Sequence, residues 1–259
     1  MQIKGVAQQV REEGAALAEL LGHGTRSDRV EFLRSWVRYP LRFRAQQSLD
    51  EVRSQSIGDV LQEFGSDVTA LVGAVGDAND GHPWGLRQLD QAVLLALVRA
   101  VNARQVFEIG TFDGGTTALL ADAVGTQGHV FTLDLPPASF DATQSAPAFT
   151  GAMVGWRIAE APGAERITQL LGDSLTFDYS PWQHSMDVVF VDAGHDYPLG
   201  HADSTNAFRL VRPGGLIVWD DVVPHWWGLV KAVIEVAGTR QLTRIEGTNL
   251  AFVRTPSST

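Results

Sequence analysis

Apolar residues fall along this chain in two rhythms. From Leu86 onward, short unbroken apolar runs alternate with longer stretches whose apolar positions recur three and four apart. The runs predict strands at Gln105–Gly110, His129–Asp134, Arg166–Leu171, Met186–Asp192 and Leu216–Asp220. The longer stretches predict helices that start near Gly115, Phe149, Ser174 and Tyr197. A strongly apolar helix at Leu89–Val101 feeds the first strand. After a helix at Trp226–Ala237, Gln241–Ile245 and Leu250–Val253 flank Glu246-Gly247-Thr248-Asn249 and read as a closing hairpin. Strand interiors such as Val188–Val191 (VVFV) and Leu216–Trp219 (LIVW) are continuously apolar, as strands covered on both faces should be. The pattern predicts an α/β fold with a doubly wound, mostly parallel, seven-stranded sheet and helices on both faces.

Residues 1–80 carry only the helical rhythm, so a helical N-terminal extension is expected before a main domain at 81–255. Val10–Leu21 ends at Gly22-His23-Gly24. Asp28–Tyr39 is amphipathic and ends at Pro40. Ser56–Val75 has Val60, Leu61, Phe64, Val68, Leu71 and Val72 on one face. Arg26, Arg29, Arg34, Arg38, Arg42 and Arg44 make part of this extension basic. That segment reads as a solvated helix face, or as a contact for an acidic partner or an anionic substrate. The turn-rich Gly76–Gly85 marks the boundary, and TPSST at the end reads as a frayed tail.

Composition narrows the function. The net charge of −10 disfavours a general nucleic-acid binder. The chain has no cysteine, which removes disulfides, thiolate catalysis and Cys-ligated zinc. The N-terminus lacks an apolar signal core, and no run is long enough to cross a membrane. A cytoplasmic protein that binds neither nucleic acid nor membrane is the expectation.

Chemistry gathers where the predicted strands end. FEIGTFDGGTTALLA, from Phe107 to Ala121, is a strand, a glycine turn and a helix start. Such a cradle lets backbone approach a nucleotide-type ligand and offers it free N–H groups. Phe112 stands where a dinucleotide fingerprint has its second glycine, which argues against a nicotinamide-dependent oxidoreductase. Later strands end in Asp134, then Gly172-Asp173-Ser174, then Asp192 and His195, then Asp220 and Asp221. In doubly wound sheets the ligand lies at this edge. Asp134 can accept from both ribose hydroxyls of a nucleoside, or it can cap the turn before Pro136. Asp173 and Ser174 can contact an adenine edge or cap the next helix. Adjacent strand ends lie about 5 Å apart. Asp192, Asp220 and Asp221 would therefore repel one another unless a cation neutralises them, and Mg²⁺ suits such an oxygen site. The alternative is that Asp220 or Asp221 caps a turn and binds no metal. His195 is a candidate base, and His225 is a second base or a substrate contact. His129, His184 and His201 read as structural. Trp84, Trp226, Trp227 and Tyr197 are candidates for walling an acceptor, or for packing.

From about Leu86 to Val253 these residues resemble class I S-adenosylmethionine (SAM) methyltransferases. The resemblance is strongest to the cation-dependent catechol and caffeoyl-CoA type and to bacterial natural-product O-methyltransferases. EIGTFDGGTT is similar to that family's Glu-x-Gly-x-x-x-Gly-x-Ser/Thr motif. The resemblance implies SAM contacts at Glu108, Gly110, Thr111, Asp113, Gly114 and Thr116, with Gly110 and Thr116 along the methionine. It implies that Asp134 holds the ribose, that Asp173 and Ser174 contact adenine, and that Asp192 borders the cofactor. VVFVDAGHDY and RPGGLIVWDDV imply that Asp192, Asp220 and Asp221 ligate Mg²⁺ or another divalent cation. Where catechol and caffeoyl-CoA enzymes have a lysine, this chain has His195. The implied reaction is metal-assisted methylation of a small-molecule hydroxyl, phenolic or natural-product. Metal-independent N- or C-methylation and a non-catalytic SAM-binding subunit are the alternatives. Extensions in this family often cover the acceptor site or make a dimer, so a lid and a homo-oligomer are expected.

Overall fold

The computed structural model describes residue 38 and residues 40–72, 85–139 and 151–257. Predicted elements at Val10–Leu21 and near Phe149, most of Asp28–Tyr39, the Gly76–Trp84 turn, and Arg26, Arg29 and Arg34 lie outside the described residues. The described residues form one eight-stranded sheet in the order β1-β7-β8-β6-β5-β2-β3-β4. The strands are β1 (Arg53–Gln55), β2 (Gln105–Ile109), β3 (His129–Asp134), β4 (Ile167–Leu171), β5 (Met186–Val191), β6 (Val211–Trp219), β7 (Thr243–Ile245) and β8 (Ala251–Arg254). Among the described strands only β8 runs antiparallel to its neighbours. The helices are α1 (residues 40–50), α2 (Ile57–Glu63), α3 (Thr69–Val72), α4 (Gln88–Ala100), α5 (Gly115–Ala123), α6 (Tyr197–Leu210) and α7 (Trp227–Ala237).

Strand side chains alternate between the two faces of the sheet, and each face has its own core. Val106, Val130, Val188, Phe190, Leu216, Val218 and Phe252 pack beneath α4 and α5. Phe107, Ile109, Leu133, Val189, Val191, Ile217, Trp219 and Val253 pack beneath α6, α7 and α1. Each large apolar side chain so buried contributes about 1.5–3 kcal/mol. The chain leaves β2 for β3 and β4 on one side, then crosses back to β5 and β6 on the other. Strand order therefore reverses between β2 and β5, and the carboxyl ends at such a switch point are where doubly wound sheets hold their ligands.

The expected α/β sheet is present, with one strand more than expected. Arg53–Gln55 lies at the edge of the sheet, parallel to β7, and Glu246 N–H donates to the Gln55 carbonyl at 2.9 Å. A three-residue polar strand has no apolar alternation to reveal it, and polar residues suit an exposed edge. Pro40 does not end helical structure, because residues 40–50 are helical. The single helix expected from Ser56 onward is two. Ser56 caps α2 by accepting from Asp59 N–H, and the chain turns at Gly65 with φ of 75°. Val68, expected on the buried face, is therefore 55% exposed.

No helix forms at Ser174. Thr176 and Phe177 N–H both bond the Asp173 carbonyl, which makes one turn. Phe177, Tyr179 and Trp182 then pack on one another and, through Tyr179 and Trp182, on Phe107, covering the sheet in a helix's place.

Candidate active site

The first wall of the crevice is the glycine turn. Gly110 has φ of 107°, and a Cβ there would sit 1.9 Å from the Asp192 carbonyl oxygen. Only glycine lets β2 pass β5 this closely. Gly114, with φ of 89°, is the N-cap of α5. Between them Phe112 also has a positive φ, 49°. Its N–H donates to Asp134 Oδ2 at 2.7 Å, and Leu135 N–H donates to Asp134 Oδ1 at 2.7 Å. Asp134 thus clamps the turn, and its carboxylate keeps capacity to accept from a further donor. Burial raises its carboxyl, and these backbone bonds offset part of the rise.

The other residues of the motif divide into interior and rim. Glu108 is fully buried and accepts from the hydroxyls of Thr117 and Thr132 with one oxygen, while Oε1 has no partner. Burial pushes this carboxyl up to about 8 against those hydroxyls. Thr111 is buried and shares a 2.7 Å hydrogen bond with Thr132, so its hydroxyl serves the interior. Asp113 accepts from Gly115 N–H at 2.8 Å and pairs with Arg157, bracing the turn against residues 151–157. Thr116 is half-buried in the first turn of α5.

Asp173 is exposed and caps its own turn through Leu175 N–H. Ser174 is half-buried beside Asp203. Asp203, which nothing in the sequence singles out, is 1% exposed without a well-formed hydrogen bond, and burial pushes it up to about 6.

The ladder extends one residue past β5 and β6. Asp192 N–H bonds the Ile109 carbonyl at 2.9 Å, and Asp220 N–H bonds the Val191 carbonyl at 3.0 Å. Gly110, Asp192 and Asp220 are thereby set side by side at the rim. Burial raises both carboxyls, and Asp192, Asp220 and Asp221 add mutual repulsion. Asp220 Oδ1 is buried with no partner among the described residues. Asp221 turns away at φ of 57°. Its Oδ2 lies 2.9 Å from His195 Nε2, and its Oδ1 accepts from Asn249 Nδ2 at 3.0 Å. Among the described residues no three His, Asp or Glu side chains are already arranged to hold a metal ion. The donor chemistry still fits a hard dication, because the orphaned Asp220 oxygen and the mutual repulsion are what such a cation would relieve.

His195 is held on two sides. Asp221 fixes one edge of the ring, and the Trp226 indole stacks on its face with centroids 4.2 Å apart and planes 19° apart. An ionised carboxylate only accepts, so Nε2 carries the proton and Nδ1 presents the lone pair. His225 is exposed and meets the edge of Trp226 at 4.6 Å. Partial burial and the nearby Arg42 and Arg38 lower its pKa. Of the other wall candidates, Tyr197 donates to Glu235 with Lys231 over its ring, and Trp227 is 38% exposed. Trp84 is outside the described residues. His129 bonds Thr168, and His184 ends a turn against Arg209.

A second layer went unseen in the sequence. Asp90, fully buried, accepts two bonds from Arg87 at 2.7 and 2.9 Å and a third from Asn249 N–H at 3.3 Å. Arg87, Asp90, Asn249, Asp221, His195 and Trp226 thus form one continuous chain of contacts. Asn249 sits in the hairpin turn and Asp90 in the first turn of α4, positions that signal caps and turns rather than a site.

A glycine cradle at the reversal of strand order, with an acid closing the next strand, is an arrangement suited to holding a nucleoside. Residues 107–222 match the family model of a methyltransferase domain. The chain is 30% identical over 155 residues to caffeoyl-CoA O-methyltransferase 2 of Zea mays, which is 58% of this chain and 54% of that one. It is 31% identical over 130 residues to catechol O-methyltransferase of Mycobacterium tuberculosis, 50% of this chain and 53% of that one. The chain thus spans about half the length of these curated relatives. Among solved structures, the O-methyltransferase TomG of Streptomyces achromogenes, in complex with SAM, superposes with a TM-score of 0.50 at 23% identity over 76% of this chain and 96% of that one. SAH-bound PaMTH1 of Podospora anserina gives 0.53 at 15% identity, over 73% and 88%. These structures share the fold. The resemblance to class I methyltransferases of the catechol and caffeoyl-CoA type is borne out.

Proposed function

We propose that the chain transfers a methyl group from SAM to a hydroxyl of a small molecule. The observation that carries this reading is His195, pinned by Asp221 and Trp226 beside the Gly110 cradle with its Nδ1 unengaged among the described residues. The names of the relatives from Zea mays and Mycobacterium tuberculosis support hydroxyl oxygen as the acceptor atom. Gly110, Gly114 and Thr116 would border the methionine of SAM, Asp134 the ribose, and Asp173 with Ser174 the adenine. His195 Nδ1 takes the acceptor's proton while the new O–CH₃ bond forms. The S–CH₃ bond breaks, and its electrons stay on sulfur as the neutral thioether. Asp221 stabilises the resulting imidazolium. Most of the acceleration comes from alignment and exclusion of water, because the methyl donor is already activated.

Asp192, Asp220 and Asp221 would hold a divalent cation, Mg²⁺ by donor type, whose chemistry is to lower the pKa of the acceptor hydroxyl. A second reading is metal-independent N- or C-methylation, favoured by Asp221 spending both oxygens on His195 and Asn249. Activity that survives EDTA and Asp220→Ala would select it. Residues 1–80 would act as a lid or dimer element over a domain at 81–255, in a homo-oligomer that needs no nucleic acid or membrane. No described helix is long and apolar enough to cross a membrane.

Calorimetry with SAM, followed by a methyl-transfer screen over catechols and glycosides, tests the reading. His195→Gln should lose about 10²–10⁴-fold in kcat while SAM affinity holds. Wild-type turnover in that variant would refute His195 as the base. A protein that binds SAM without turning over any hydroxylated acceptor would be the non-catalytic alternative.

A further inference from the structure

The basic segment of the extension reaches the site through its described part. Arg38, Arg42, Ala45 and Leu49 are spaced four, three and four apart, which is one face of a helix. Ala45 and Leu49 are buried in the core that holds Val222 and Leu229 and that Trp226 packs against. That anchoring sets the rotation of α1 about its axis. One and two turns earlier, the same face carries Arg42 and Arg38 toward the loop that leads into α7. The charged groups around His225 agree with this, since they are Arg42, Arg38, Asp221 and His195.

Among the described residues Arg42 is not satisfied, and Arg38 is exposed. Arg42 is half-buried, and its Nε is fully buried without a hydrogen-bond partner. Neither Arg38 nor Arg42 has an ion pair among the described residues. The contrast is Arg87, whose fork is fully engaged by Asp90. A desolvated guanidinium edge is unfavourable unless an anion completes it. The rim residues Asp134, Asp192, Asp220 and Asp221 are carboxylic acids and offer an anionic group no hydrogen-bonding cationic side chain, so such a group would look to the arginines.

We propose that Arg38 and Arg42 form an anion-binding subsite for the methyl acceptor, which takes a carboxylate or phosphate-type group on the molecule that carries the reacting hydroxyl. The acceptor class is then a hydroxylated organic acid or phosphorylated phenol. This rests on the methyl-transfer reading only for the place of the hydroxyl, because the test reads binding alone. SAH-loaded protein is titrated calorimetrically with 3,4-dihydroxybenzoate, with 3,4-dihydroxyphenylphosphonate and with the neutral 3,4-dihydroxybenzamide. At least one acid should bind about tenfold or more tightly than the amide, and the tighter acid names the group. Arg42→Ala should close that gap to within about twofold, Arg42→Lys should keep part of it, and Arg44→Ala, on an exposed face of α1, should keep all of it. SAH affinity reports that each variant is folded. An absent gap in wild type, or a gap that persists in both Arg42→Ala and Arg38→Ala, overturns the proposal. Methyl transfer to the amide tests the catalytic reading separately.

Discussion

Replacing Gly110 with alanine tests the packing that builds the site. The new Cβ would lie 1.9 Å from the Asp192 carbonyl oxygen and 2.6 Å from its carbon. Both are backbone atoms of the ladder, so relief requires β2 and β5 to part by about 1.4 Å at their carboxyl ends, given an ordinary carbon–oxygen contact of about 3.3 Å. Parting them weakens the Asp192 N–H bond to the Ile109 carbonyl, now 2.9 Å, which contributes about 1 kcal/mol. Alanine at φ of 107° adds about 1–3 kcal/mol of backbone strain. The expected loss is about 2–4 kcal/mol, a large share of the roughly 5–15 kcal/mol of a typical domain. Gly125→Ala is the control, because φ there is 68° and nothing lies within 4 Å of a new Cβ. It should cost about 1 kcal/mol. Urea unfolding followed by tryptophan fluorescence gives both values, and SAH calorimetry reads the cradle. A Gly110→Ala protein as stable as Gly125→Ala, binding SAH as wild type does, would refute the close approach of β2 and β5.

Trp226→Ala should lower kcat about tenfold with SAH affinity unchanged, because the lost stacking, about 0.5–1.5 kcal/mol, releases His195 rather than the cofactor; Trp226→Phe should restore most of it, and full activity in the alanine variant would show the stack to be incidental. Glu108 is held up to about 8 against an ordinary 4.5. Between those values the folded state keeps a proton that the unfolded chain has released, so stability falls as pH rises. Glu108→Gln should flatten that fall in melts from about pH 5 to 8, and an unaltered slope would contradict the burial assignment. Saturating Mg²⁺ should raise the wild-type Tm by the equivalent of about 2–3 kcal/mol at a hundred times Kd and leave Asp220→Asn unmoved; equal melts with Mg²⁺ and EDTA would remove the cation.

What could be read ahead of the structure follows from where the determining forces act. The carboxylates at strand ends were legible because unbroken apolar runs such as VVFV mark a strand, and a parallel ladder brings successive ends to one edge. Asp192 and Asp220 even continue the ladder by one residue. The second layer was illegible for the opposite reason. Asp90 is fully buried, yet its neighbours in sequence describe only a helix start, and Asn249 meets it from 159 residues away in a hairpin turn. Periodicity reports which face of an element is apolar, and neither residue contributes to an apolar face. The missing helix at Ser174 is a third case. Phe177, Tyr179 and Trp182 do not keep helical spacing, but nothing local says that they will stack over Phe107 instead. The same limit held for Arg42. A helix expected to end at Pro40 left Arg42 on no face at all, and only the burial of Ala45 and Leu49 reveals that its face looks inward. A charge on such a face must find a counter-ion or remain poised for one, and that makes Arg42 a group to test against ligands rather than against folding.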